Sequence, residues 1–308
     1  MKKTKFVTAI YSDLFGTDLG GRPRRREHYR YSLRSLLKMT DAEFVCYTSA
    51  SEIDSLKQFF YEDNHISTEK ITFKVYDLRN FEFTNKLNAV KDLSVIKSGD
   101  RCYEIQYSKF IWCKNEIDFD YDFIYWIDAG LSHGGLIPDR YRCMTFGGII
   151  PDRYRCMSLK SDTEVMYECS VFNNNFLKNL LTFSEGKIFN IAKDNVRHYW
   201  AATVPGSYYK KHCQDLHIIG GLFGGNTHVM KEYVDLCINY AHKVLGDGYL
   251  YCEESIMSLT YYNHQELFKL KFFDQWWHED YIVAGFDAVE YCRLHKPFYK
   301  VIEELNDV

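Results

Sequence analysis

The sequence predicts an α/β protein whose N-terminal half is built on a mostly parallel, doubly wound sheet, and three observations predict it. Short apolar runs alternate with longer amphipathic stretches through residues 1–127, the order that gives parallel strands joined by helices. The run "FIYWI" is apolar throughout and bounded by acids, as expected of a strand covered on both faces. No Pro- or Ser-rich linker divides the 308 residues, so one domain spanning 1–308 with an elaborated C-terminal part is expected. With 46% hydrophobic and 26% charged residues, a chain of this length can bury a full core.

Taken in order, residues 5–11 (KFVTAIY) read as a buried first strand. A polar, Gly-rich loop follows, then a helix over 27–38 with Tyr31, Leu33, Leu36 and Leu37 on its apolar side. A strand at 44–48, a helix near 53–60, a strand at 71–76, a helix over 103–115 and the strand at 123–127 complete this half. In such sheets ligands bind beyond the carboxyl ends of the strands, where Tyr11, Ser12 and Asp128 fall. In the second half, 216–223 reads as a strand running into "GGNTH", followed by a helix over 227–245 that stops at Gly246 to Gly248. Another helix begins near Glu253, and 267–273 is a late strand.

A thirteen-residue block occurs twice in tandem, at 134–146 and 147–159. An odd insertion into a strand would turn every later side chain to the opposite face, so one copy must loop out. Two copies do not make a solenoid, which needs at least three.

The 38 basic and 42 acidic residues leave a net charge of -4, which argues against a dedicated nucleic-acid binder. One cluster stands apart: "GGRPRRREHYR" gathers Arg22, Arg24, Arg25, Arg26 and Arg30, suited to a phosphate or simply to a solvated loop and helix start. The aromatic share of 17% suits stacking on sugar rings or bases. The opening apolar run is too short for a secretory leader, and no stretch approaches the roughly 18 apolar residues of a membrane span. The ten cysteines include no C-x-x-C pair and read as reduced thiols. A cytoplasmic location follows as an expectation, with at most peripheral association at the inner face of a membrane.

Three segments can carry chemistry. In "FIYWIDAG" a strand delivers Asp128 into a turn whose small Ala129 and Gly130 let a ligand approach the backbone. An acid so placed can hold a divalent cation, bond a ribose, or cap the turn. In "HIIGGLFGGN" the pairs Gly220-Gly221 and Gly224-Gly225 remove side chains near a strand end, for a ligand or for packing. In "YLYCEESIMSL" the acids Glu253 and Glu254 stand at a helix start, where the dipole favours carboxylates.

The order strand-DxG, GGxFGG, then an acidic pair before Ser resembles the GT-A nucleotide-sugar glycosyltransferases, with their Rossmann-like sheet. "IIGGLFGGNTHVMKEYV" and "CEESIMSL" are similar to segments of the blood-group-type galactosyl and N-acetylgalactosaminyl transferases, and "YSKFIWCKNEIDFDYDFIYWIDAGLSH" is most similar to the bacterial HtrL/WlaTB family. The resemblance implies transfer of a sugar from a nucleotide-sugar, a UDP-sugar first among candidates, to a glycan or lipid-linked acceptor in surface polysaccharide or lipo-oligosaccharide synthesis. It implies that 1–133 form the nucleotide half and 160–308 the acceptor and catalytic half.

Residue by residue, the resemblance makes Asp128 the first acid of the DxD motif and a contact to nucleotide and metal, Mn²⁺ or Mg²⁺. The second acid, the usual metal ligand, is Gly130 here, which puts metal dependence in question and leaves His133 or His278 as candidate ligands. It sets Thr8, Ala9 and Tyr11 at the base and ribose, Lys109, Ala129, Gly130 and Arg26 on the donor, and the two glycine pairs along donor and acceptor sugars. Glu254 becomes the catalytic carboxylate, with Glu253 its neighbour. The residues suit that chemistry, since a carboxylate near the anomeric carbon can stabilise an oxocarbenium-like state or deprotonate the acceptor hydroxyl, and the leaving diphosphate needs positive charge.

Two rival readings stand beside this one. A protein of the same fold can bind nucleotide or carbohydrate without turnover. Alternatively, "IYSDLFGTDL" is close to the signature of HAD phosphohydrolases, but Phe15 stands where their second aspartate is required.

Overall fold

The structure, a computed structural model, describes residues 2–12, 26–93, 102–130, 157–159, 167–169, 174–194 and 216–273. Seven strands form one mixed sheet in the order β3-β2-β1-β4-β8-β7-β9. Its first part is parallel: β1 (Thr4–Ile10), β2 (Glu43–Thr48), β3 (Ile71–Val75) and β4 (Phe123–Ile127) all run the same way. β8 (Leu216–Asn226) then enters antiparallel between β4 and β7 (Ile188–Asp194), and β9 (Phe268–Phe273) pairs parallel with β7 at the far edge. β5 (Met157–Leu159) and β6 (Tyr167–Cys169) make a separate antiparallel pair. β5 is the end of the second copy of the tandem block; the rest of 134–159 lies outside the described residues.

Side-chain alternation explains why both faces need cover. Along β4, Phe123, Tyr125 and Ile127 enter one apolar cluster while Ile124 and Trp126 enter the other. The first cluster is closed by α1 (Arg26–Met39), α2 (Ile53–Lys57), which continues as a π-helical turn (Gln58–Asp63), and α5 (Asn174–Phe183). The second is closed by α3 (Thr84–Leu93), α4 (Tyr103–Asn115), α6 (Thr227–Gly246) and α7 (Glu253–Asn263). α4 packs against β1, β4 and the helices α3, α6 and α7 and is buried from Tyr107 through Cys113 without a break. It therefore shows no polar stripe, and Lys109 lies in its middle.

The topology also says where a ligand belongs. β2 and β3 lie on one side of β1 and β4 on the other, so the strand order reverses between the carboxyl ends of β1 and β4, the position of the ligand crevice in open α/β sheets. Five of these elements were not read from the sequence: α3, β5, β6, α5 and β7. The sequence also left unread that β8 runs antiparallel. No described helix is long and apolar enough to cross a membrane, and no disulfide joins Cys46, Cys102, Cys113, Cys237 or Cys252.

Candidate functional site

Four separate segments meet where β8 passes the carboxyl end of β4, and one buried ammonium holds them. Lys109, from α4, is 6% exposed in its side chain. Its ammonium donates hydrogen bonds to two protein oxygens and forms an ion pair with a third. They are the Gly220 carbonyl of β8 at 3.1 Å, Glu253 Oε1 at the start of α7 at 2.8 Å, and Asp128 Oδ1 past the end of β4 at 3.0 Å. Burial works against the charge, but Asp128 and then Glu253 outweigh it and raise the Lys109 pKa above the ordinary lysine value. The Trp126 ring adds a cation–π contact, with Nζ 5.3 Å from its centroid.

Trp126 has a second duty. Residues two apart on a strand share a face, and the Trp126 indole N–H donates to Asp128 Oδ1 at 2.8 Å. That oxygen is thus filled by two donors, whereas Oδ2 takes no hydrogen bond from the described residues. Asp128 is 42% exposed. Glu253 is its opposite: 7% exposed, with Oε1 on Lys109 and Oε2 buried without a partner.

The wall opposite is Gly220, and a register slip makes it available. β7 pairs with β8 at Asn190↔Phe223 and next at Ile191↔Ile219, so residues 220–222 have no partner on β7. Such irregularities re-aim a strand beside functional sites. Gly220 consequently gives its carbonyl to Lys109 and its N–H to Glu254 Oε1 at 3.1 Å. On the other edge β8 still follows β4, where the Asp128 N–H donates to the Gly221 carbonyl at 2.9 Å. A Cβ on Gly220 would sit 2.9 Å from Glu253 Oε1 and 3.3 Å from Glu254 Cγ. Only glycine lets both glutamates approach this backbone.

Several expected site residues lie elsewhere or act differently. Gly224 and Gly225 do not line the site: they sit within the sheet, where a Cβ would come 2.3 Å from the Ile124 carbonyl oxygen and 2.1 Å from that of Lys187, respectively. Thr8 is fully buried, with Oγ1 unpartnered. Lys109, expected on the donor, is buried among Gly220, Glu253 and Asp128. Ala9 is half-buried, and Tyr11 stacks on Trp112 at 5.7 Å and donates to the Tyr76 carbonyl at 3.0 Å. Ala129 and Gly130 are buried beside Asp128. The Arg26 side chain, His133 and His278 lie outside the described residues.

Sequence reasoning missed Trp126, although its i−2 spacing from Asp128 was a readable signal. It also missed Glu52, a 1% exposed carboxylate after β2 that accepts the Ser12 N–H at 2.9 Å and the Ser12 hydroxyl, and so ties the end of β1 to the end of β2.

A divalent cation of the kind the DxD-like motif implies takes about six or more oxygen ligands. Asp128 offers Oδ2, Gly130 offers no carboxylate, and among the described residues no three His, Cys, Asp or Glu side chains stand close enough to hold an ion. The described residues by themselves do not complete the shell of a resident metal. Comparison of the chain with known protein families and with curated proteins finds no match.

Proposed function

We propose that the protein is a GT-A type glycosyltransferase that moves a hexose or related sugar from a nucleotide-sugar, a UDP-sugar first among candidates, to a glycan or lipid-linked acceptor. The setting it fits is assembly of a bacterial surface polysaccharide or lipo-oligosaccharide. One observation carries the reading: Asp128, Glu253 and Glu254 converge through Lys109 and Gly220 on one spot at the carboxyl ends of the strands.

The arrangement suits the chemistry. Glu254 is held beside Gly220, whose N–H its side chain accepts at 3.1 Å. A carboxylate so placed can stabilise an oxocarbenium-like centre or accept the acceptor's hydroxyl proton. Lys109 and Trp126 fix Asp128 from behind and leave Oδ2 for the donor.

Binding of UDP-, GDP-, CMP- and dTDP-sugars, followed by thermal shift with and without Mn²⁺, tests the reading. Stabilisation by one nucleotide class, reduced in Asp128→Asn, is expected. Sugar transfer should fall by about 100-fold or more in Glu254→Gln, the scale of a lost general base. Indifference to every nucleotide would overturn it.

A further inference from the structure

We infer that Trp112 and Trp126 are positioning residues: with Tyr11 they form a column of stacked rings that sets the spacing between Asp128 and the end of β1. The inference rests on the glycosyltransferase reading for the ligand that lies across that gap, and on geometry alone for the column.

The two strand ends need tying together. The parallel ladder between β1 and β4 closes with Val7↔Trp126, and no described pair of these two strands lies beyond it. β1 therefore runs on towards Tyr11, and β4 towards Asp128, without a ladder to fix one against the other. This is the place where the strand order reverses, and open α/β sheets part there to form a crevice.

Trp112, from α4, spans the parting. Its ring stacks on Tyr11 at 5.7 Å and 9° and on Trp126 at 5.8 Å and 18°, contacts that are favourable beyond the area they bury. Neighbouring rings hold the column in place. Tyr47 stacks on Trp112 at 5.3 Å while its hydroxyl donates to the buried Glu116 Oε1 at 2.6 Å, and Phe223 backs Trp126 at 6.5 Å. Both indoles are buried, so neither can turn without repacking the core.

Each end of the column acts on one strand end. The Tyr11 hydroxyl donates to the Tyr76 carbonyl, just past β3, at 3.0 Å, and the Trp126 N–H donates to Asp128 Oδ1 at 2.8 Å. An indole N–H has a fixed direction and can only donate. It selects one orientation for a partly exposed carboxylate whose other described partner, Lys109, sits on a flexible stem. Lys109 and Trp112 stand three apart on α4 and share a face, so one helix holds Asp128 both through the ammonium and through the Trp126 ring.

Trp112→Phe keeps a ring but loosens both stacks. In the free chain, hydrogen exchange at the Trp126 indole N–H, recognised as the signal lost in Trp126→Phe, should accelerate by about tenfold relative to the backbone amides of β4, the scale of one stacking contact. Exchange that rises equally at indole and amides, or at neither, is what a purely structural ring gives and would overturn the inference. Binding of UDP-, GDP-, CMP- and dTDP-sugars supplies the second readout. The nucleotide-sugar that binds the unaltered chain should bind Trp112→Phe about tenfold more weakly, a change of about 1.4 kcal/mol. In an Asp128→Asn background the same substitution should matter by less than about twofold, because the two positions act through one contact chain. An equal loss in both backgrounds would count decisively against the column. Should Trp112→Phe fail to fold, Tyr11→Leu, which removes the outer ring, takes its place in the exchange measurement with the same expectation. Failure of every nucleotide-sugar to bind would overturn the glycosyltransferase reading, and the exchange result, which needs no ligand, would still decide the column.

Discussion

The two glycine pairs of β8 have the same composition, lie four positions apart and do opposite work. Gly220 stands where β8 has slipped off β7, and both its backbone groups serve side chains from α4 and α7. Gly224 and Gly225 stand where the ladders are intact, in register with Tyr125 and Ile124 on β4 and with Phe189 and Ile188 on β7. There the missing side chains let neighbouring main chain close in, and Gly224 also adopts a φ of +150°. The first pair makes a wall; the second makes the sheet. The difference lies in the partner strand, which is why residue type alone did not separate them.

That contrast can be broken, beginning with the largest effect. Gly225→Ala and Gly224→Ala should each destabilise the protein by more than about 4 kcal/mol, the range reserved for severe core defects, and yield little folded protein by circular dichroism. Lys109→Met should come next. It leaves Glu253 buried and unpaired at 7% exposure, a loss of about 3 kcal/mol or more, visible as a lower urea midpoint. Gly220→Ala should cost only about 1–2 kcal/mol, since the obstructing atoms are side chains that can shift. It should nevertheless displace both glutamates and, on the proposed glycosyltransferase reading, reduce turnover by about tenfold or more, the scale of a misplaced catalytic group. Equal stability losses at Gly220 and Gly225 would erase the distinction.

The smallest effect concerns pH. Because the Lys109 pKa is raised by folding, its contribution is complete below the unfolded value of 10.5 and is lost as pH rises through the folded value. The stability gap between the unaltered protein and Lys109→Met should therefore be flat from about pH 6 to 9 and narrow only above about pH 10.5. A gap that closes near neutrality would mean that the ammonium does not hold the site.

Much of this fold was readable. β1, α1, β2, β3, α4, β4, α6, α7 and β9 are all expected from the sequence, and their bounds follow that reading closely. α3 escaped because "TNKLNAVKDL" offers few apolar positions, and β7 because "IFNIAKD" mixes apolar and polar residues without a clean period. Strand direction is absent from a strand's own composition, so the antiparallel entry of β8 had to come from its partners. The acids Asp128, Glu253 and Glu254 were legible from their positions at element ends. Lys109 was legible as a participant, but its role was not: how many of its three hydrogens remain free depends on acceptors up to 144 residues away.

That last separation has a consequence for synthesis and turnover in the cell. The bond between Lys109 and Glu253 spans 144 positions, and that between Lys109 and Gly220 spans 111. Contacts so remote in the chain cost more loop-closure entropy than local ones. A nascent or truncated polypeptide ending before β8 would carry a lysine inside its central helix with two of three acceptors still unmade. Such a fragment should be recognisably immature to proteases, and the appearance of the four-segment knot would mark the moment at which the molecule becomes whole.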